Sequence, residues 1–461
     1  MIESQERPQS VQPEAQLELS DELIRSVNDA LQEGQAGRAA ELALQLHPAD
    51  QADLLEQLGR EQRAELVGEI KLQLDPELLT HLDDTVRAEV LELLGPEEAG
   101  AAIAQLETDD AIDVLSDLDE AEQIALLKTL PLPERAAVEQ GLTYPEDSAG
   151  RLMQREFVAA PEFWTVGQTI DYLRANPNLP DDFYDIYIIN PRFEPVGSIP
   201  LSKVMRSKRG VLLTELKLKE LHLIPVDMDQ EEVGFQFRQY GLVSAPVVNE
   251  AGRLLGVITV DDVVHVIEEE AEEDIMRLGG VPDADVFAPP LRTSLRRVPW
   301  LLLNLATATL AALVIAQFEA EIEQLVVLAV LMPIVVALGG NAAMQAVTVT
   351  VRALAMRQIT RANAARVVGK ELLVGGLNGT TLVIAAVLLA LGWFGEIGLS
   401  LVFGAGVIFT IVIAALAGVT VPMILDRIGV DPAIASSVFV LTVTDVFGFF
   451  AFLGLASLYL L

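Results

Sequence analysis

The sequence predicts a multidomain membrane protein with an all-α solenoid at the N-terminus, a tandem α/β module, an acidic connecting helix and a five-helix transmembrane domain. Three observations carry this. Of 461 residues 51% are hydrophobic, yet 67 Asp and Glu stand against 31 Lys and Arg, and an ordinary soluble domain does not combine that apolarity with a charge of -36. The charge is also segregated, because positions 291–461 hold nine basic and eight acidic residues, leaving 22 basic and 59 acidic residues before them. Finally, five apolar stretches lie in the near-neutral part, at about 298–318, 322–351, 365–391, 397–424 and 432–461. The first, VPWLLLNLATATLAALVIAQF, has 21 residues and no charge, which as a helix is about 30 Å and long enough to span a bilayer.

Residues 1–19 are rich in Gln, Glu, Ser and Pro and read as a solvated tail. The first 16, MIESQERPQSVQPEAQ, lack the apolar run of a secretory signal, so the chain is expected to start in the cytosol. Residues 20–143 repeat a loose pattern, as in HPADQADLLEQL, GREQRAELVGEI, DDTVRAEVLELL and TDDAIDVLSDL. Each repeat opens on a Pro, Asp, Gly or Thr start signal and continues with apolar residues at helical spacing, which predicts short stacked helices with an acidic solvated face.

Residues 144–259 change texture. DIYIINPRFEPVGSIPLSKVM (185–205) aligns with SAPVVNEAGRLLGVITVDDVV (244–264), each reading strand, turn, strand, helix, and each follows a helix-like stretch. This is an internal duplication. It resembles a tandem pair of CBS domains. In the second copy Gly256, Thr259 and Asp262 match the family pattern in which Thr faces a phosphate and Asp a ribose, which implies ATP as a ligand; the first copy departs from it with Gly197, Pro200 and Lys203.

A helix starting near Val260 is expected to run on to Gly279 within a connecting segment, 260–290. Between Asp261 and Asp274 it carries eight acids and no Lys or Arg. Like charges one turn apart cost a helix about 0.2–0.5 kcal/mol per pair, a cost that bound cations would remove.

In the membrane part, 291–461, all nine basic residues fall on one side: Arg292, Arg296 and Arg297 before the first span, Arg352 to Lys370 around the loop after the second, and Arg427 between the fourth and fifth. This asymmetry predicts a cytosolic N-terminal half and an outside C-terminus. Polar residues within the spans are the functional candidates, since an ionisable group at mid-bilayer is costly unless it lines water or a partner. Asp445 lies 13 residues after Pro432, near the middle of the last span, with Thr442 and Gly448 on the same face. In the second span Asn341, Gln345, Thr348 and Arg352 recur on one face. Gly339 and Gly340 either admit a close backbone neighbour or mark a break in the helix. Asp431 before Pro432 reads as an N-cap, with a secondary role at the cytosolic pore mouth.

Composition excludes several classes. The acid excess argues against nucleic acid as a partner. With no Cys, disulfides, thiolate zinc sites and cysteine nucleophiles are out, whereas hard cations with oxygen ligands fit. The four His (47, 81, 222 and 265) come with no nucleophile arrangement or GxxxxGK loop, so an enzyme is not expected.

The order of an acidic helical region, EDSAGRLM, tandem CBS units, an acidic helix and five spans, with ALGGNAAMQ in the second span and DPA then TDVFGF in the fifth, resembles the MgtE-type magnesium channels over about residues 40–460. The resemblance implies a homodimer in the bacterial cytoplasmic membrane, with a pore on the two-fold axis lined by the second and fifth spans and Asp445 of each subunit as the pore aspartate. It further implies that cytosolic Mg²⁺ closes the pore by bridging acidic faces. The matching residues are Asp109, Asp110 and Asp113, then Asp229 and Asp262, and Glu270, Glu273 and Asp274 on the connecting helix. His265 and Gly241 stand where acids are expected. An ion-coupled exchanger of Mg²⁺, Mn²⁺ or Co²⁺ and a non-transporting membrane-anchored sensor are the alternatives.

Overall fold

A computed structural model describes residues 19–180, 182–218, 220–281 and 289–461, and the expected tail lies outside them except for Leu19. The chain divides into two compact units, Met1–Ile267 and Glu268–Leu461.

The first unit opens with helices α1 (Asp21–Gln32), α2 (Ala36–Ala43), α3 (Pro48–Gln57) and α4 (Arg60–Ile70), a 3-10 helix η1 (Pro76–His81), then α5 (Asp84–Leu94), α6 (Pro96–Ile103), α7 (Thr108–Ser116), α8 (Glu120–Leu127) and α9 (Leu132–Gly141). The start signals act as expected. Ser20 caps α1, His47 precedes Pro48 and caps α3, and Asp75 precedes Pro76 and caps η1. Apolar residues at helical spacing, among them Val27, Leu54, Leu66, Leu79, Val90 and Leu115, form one core. Two buried arginines pin the turns. Arg63 donates to the carbonyls of Leu55 (2.8 Å) and Leu58 (3.0 Å), and Arg87 donates from Nε to that of Leu82 (3.2 Å). Each also holds acids, Arg63 with Glu89, and Arg87 with Asp113 and Asp117.

The duplicated module follows, with α10 (Ala149–Leu152), β1 (Val158–Pro161), α11 (Val166–Ala175), β2 (Asp185–Ile189), β3 (Pro195–Pro200), α12 (Leu201–Met205) and α13 (Leu213–Leu216), then β4 (Ile224–Pro225), α14 (Gln230–Tyr240), β5 (Ser244–Val248) and β6 (Leu254–Thr259). The two sheets, β1-β2-β3 and β4-β5-β6, share a topology in which the first pair is parallel and the second antiparallel. Even the irregularities coincide. Ile188 pairs with Gly197 and Val247 with Gly256, and the register shifts at the next residue in both copies. The copies are joined where Leu254 N–H donates to the Phe193 carbonyl (3.0 Å) and where the Tyr187 and Ser244 hydroxyls meet at 2.6 Å. Helix α15 (Val260–Leu278) begins in the first unit and ends in the second.

In the second unit α16 (Pro290–Ala316), α18 (Val327–Ala355), α19 (Ala364–Phe394), α20 (Ile397–Arg427) and α21 (Pro432–Leu460) are the long apolar helices, five among the described residues that are long and apolar enough to cross a membrane. Two bounds differ from expectation. The first helix begins at Pro290, so Arg292, Arg296 and Arg297 lie within it; and the acidic EAEIEQ ahead of the second span forms a separate short helix, α17 (Glu319–Gln324). Helix α20 is the most buried of the five. Small residues let its neighbours approach, as where a side chain at Gly418 would come within 2.6 Å of Ala346 Cβ on α18.

Candidate functional site

Acidic residues collect at two places, and polar residues line a third. In the first unit, α7 presents Asp109 and Asp110 after Glu107, its N-cap residue, while the start of α15 presents Asp261 and Asp262. Asp109 is 7% exposed, and among the described residues its carboxylate meets no basic side chain; it lies within hydrogen-bonding range of the Asp262 carboxylate. Burial first, and then the charges of Asp262, Asp110 and Glu107, hold its pKa well above the carboxylate range. Asp110 is pushed up to about 7, by burial and then chiefly by Asp262. Glu107, which solvent still reaches, also rises to about 7 through desolvation of its carboxyl followed by Asp110, Glu156 and Asp262. Asp262 is raised by burial despite the Thr259 hydroxyl that donates to it at 2.6 Å.

Thr259 and Asp262, the residues expected to meet a nucleotide, are therefore turned to each other and to this cluster. No basic residue is among the groups that shift these four carboxyls. The donor set is all oxygen, suited to a hard cation. Among the described residues no three His, Asp or Glu side chains are grouped to hold one ion. Mg²⁺ keeps several of its waters and takes one or two carboxylates, so such a group is not required for it.

Two expected ligands also meet protein donors. Asp113 pairs with the buried Arg87 (Nη1 to Oδ2, 2.8 Å), and Asp229 caps α14 by accepting from Glu231 N–H at 2.9 Å. In each the contact engages one carboxylate oxygen. Glu107 and Glu156 are the members that sequence reasoning missed, whereas Asp261 belongs to the acidic run already read on α15. Glu107 adjoins Asp109 in the ETDD run, which was a readable signal. Glu156 accepts from Thr108 at 2.8 Å across 48 positions, which no local pattern could announce.

The second place lies in the second unit, where the end of α15 meets the start of α21. Asp431 caps α21, accepting from Ala433 N–H at 2.7 Å, and also takes Arg277 Nη1 at 2.5 Å. Glu273, expected as an ion ligand, pairs with the same Arg277 one turn on. Asp274 is raised to about 6 by burial and then by Asp431 and Glu270. Leu278 packs against a cluster built from α18, α20 and α21, so the end of the acidic helix is seated on these helices.

The third place is the polar stripe. Asn341, Gln345, Thr348 and Arg352 are all exposed on the surface of the single chain, and Asp445 on α21 is half-buried. Helix α18 is continuous through Gly339 and Gly340, which removes the helix-break reading. A side chain at Gly339 would collide with Thr410 and Thr444, so this glycine admits a close neighbour. Thr442 bonds back to the Val438 carbonyl at 2.6 Å. Gly448, expected on the pore face, is instead buried, with its Cβ position 3.1 Å from Thr410 of α20, because the small residue serves packing there.

Three family descriptions match the chain: MgtE intracellular N domain at 46–147, CBS domain at 214–269, and MgtE divalent cation transporter at 332–455. A relative from Thermus thermophilus, magnesium transporter MgtE, is 34% identical over 448 residues, 96% of this chain and 99% of that one. Another with the same name, from Enterococcus faecalis, is 29% identical over 71% of this chain and 72% of its own length. A crystal structure of the cytosolic domain of the Mg²⁺ channel MgtE in complex with ATP is 32% identical, with 53% of this chain and 99% of that chain covered and a TM-score of 0.49. Matched over nearly its whole length by a relative sharing a third of its residues, this chain belongs to the MgtE magnesium transporter family, which is not a family of enzymes.

Proposed function

We propose that this protein carries Mg²⁺ inward across the bacterial cytoplasmic membrane as a homodimer, with its N-terminal unit in the cytosol, and that cytosolic Mg²⁺ closes the path. The observation that carries the reading is the stripe of Asn341, Gln345, Thr348 and Arg352. These residues lie exposed on a span whose other outward residues are largely apolar. Facing lipid, the stripe would be costly; facing the same stripe of a second copy across a wet axis, it is stable. Asp445 then comes from both copies and attracts a divalent ion without stripping its waters. A divalent ion gains about 4.6 kcal/mol on entering across 100 mV, inside negative, so no ATP hydrolysis is needed.

The two acidic places supply control. In each, carboxylates are held close with their charge partly uncompensated, so a divalent ion binds the assembled arrangement more tightly than the separated one and shifts the population towards it. The assembled arrangement is the closed one, since it seats the end of α15 against α18, α20 and α21. Purified protein in liposomes tests the transport step. Mg²⁺ influx driven by an inside-negative potential is expected, and Asp445→Ala is expected to abolish it. Influx unchanged in that variant sinks the pore reading.

A further inference from the structure

Three of the four histidines gather in the first unit, next to the oxygen-lined cluster, since His265 follows Asp262 by one turn of α15. His81 ends η1, His265 lies early on α15, and their rings stand edge to face with centroids 6.3 Å apart. His47 caps α3 through Nδ1, which accepts from Ala49 N–H at 3.3 Å, so Nε2 is its remaining ligating atom. It is near enough to act on His81 electrostatically, as are Glu77 and Asp53. Burial holds the pKa of His81 below its ordinary value, and His265 and His47 add to this while Glu77 and Asp53 oppose it. Burial thus favours the neutral imidazole, the form that ligates metals.

The distances suit one ion shared by two rings. Zn²⁺ lies about 2.0–2.1 Å from an imidazole nitrogen, hence roughly 3.2 Å from the ring centroid. Two imidazoles on a tetrahedral ion then have centroids about 5.3 Å apart. The observed 6.3 Å is about 1 Å wider, a difference that a rotamer change of the exposed His265 would close on binding. Water completes the shell. The ligand type selects the ion, since Mg²⁺ prefers oxygen whereas neutral imidazole suits Zn²⁺, Co²⁺ and Ni²⁺. At position 265, where the family resemblance leads one to expect an acid, the imidazole therefore changes which cation is recognised.

We propose that His81 and His265 form a binding site for a borderline transition ion of the Zn²⁺ and Co²⁺ class, tying η1 to α15 beside the joint that Asp109 and Asp262 span. The site does not depend on the Mg²⁺ reading. The test is calorimetric titration of Zn²⁺ into the full chain in detergent at pH 7.5, with millimolar Mg²⁺ present to occupy oxygen sites. The chain is expected to show a Zn²⁺ event whose affinity falls at least about tenfold in His81→Ala, His265→Ala and His265→Asp. The circular dichroism spectrum and thermal midpoint of His265→Ala in a chelator are expected to match those of the parent chain, which shows that the fold is intact. If His81→Ala fails to fold, the exposed His265 decides alone. A Zn²⁺ isotherm unchanged by either substitution at 265 overturns the proposal, as does the absence of any Zn²⁺ event in the parent chain.

Discussion

Replacing Asp262 by Asn removes one charge from the acidic cluster while keeping an oxygen that can accept from the Thr259 hydroxyl, so shape and the local hydrogen bond survive. Asp110 stands near 7 against an ordinary 3.8, and the difference of about 3 units corresponds to about 4 kcal/mol of strain when that group is ionised. Burial is the largest cause and Asp262 the first of the charges. Removing Asp262 is therefore expected to return about 1–2 kcal/mol to the ion-free protein, allowing for relief at Asp109 and Glu107 as well. For a unit of this size each kcal/mol moves the melting midpoint by roughly 2–4 °C. Thermal unfolding of the full chain at pH 7.5 in a chelator should thus show a midpoint raised by about 2–8 °C, with a smaller further rise on adding millimolar Mg²⁺ than the parent shows. A lowered midpoint in the chelator, with an undiminished Mg²⁺ response, would refute the view that like-charge repulsion is what the ion relieves.

The same carboxyls set a pH dependence. Their folded pKa values lie above the unfolded ones, so the stability they contribute is full below about pH 4 and is lost as pH rises through about 7; an ion-free pH series of midpoints should fall across that window and flatten when Mg²⁺ is present. Arg87→Ala leaves Asp113 and Asp117 without their buried partner and two donations to Leu82 unmade, and should cost about 3–5 kcal/mol in denaturant unfolding of the helical region. Gly339→Val drives a side chain into Thr410 and Thr444 and should lower the melting midpoint of the membrane unit by the equivalent of about 1–3 kcal/mol, whereas the same change at Gly369, where a side chain meets open space, should not.

Much of the layout was legible because it rests on local rules. Caps such as Ser20, His47 and Asp75 stand just before the helices they start, and the apolar runs from 290 onward are long enough to name themselves. The duplication was readable as an alignment of 185–205 with 244–264, and the sheets repeat it down to the residue at which the register shifts. The acidic sites were less legible. Asp113 and Asp109 are both acids on one helix turn, yet one is paired with Arg87, 26 positions earlier, and the other is buried against Asp262. Sequence spacing places both on α7 but is silent on what faces them.

The sequence by itself determined the segregation of charge, the helical, duplicated and membrane-spanning parts, and the polar stripe on α18, because each depends on composition or on periodicity within one element. Only the tertiary structure decided which carboxylates are spent and which stay uncompensated. Asp113, Asp229 and Glu273 meet donors, whereas Asp109, Asp110 and Asp262 are desolvated against one another, and Asp274 is set against Asp431. The reason is that a carboxylate's charge state depends on burial and on neighbours within a few ångströms, and those neighbours come from elements distant in the chain.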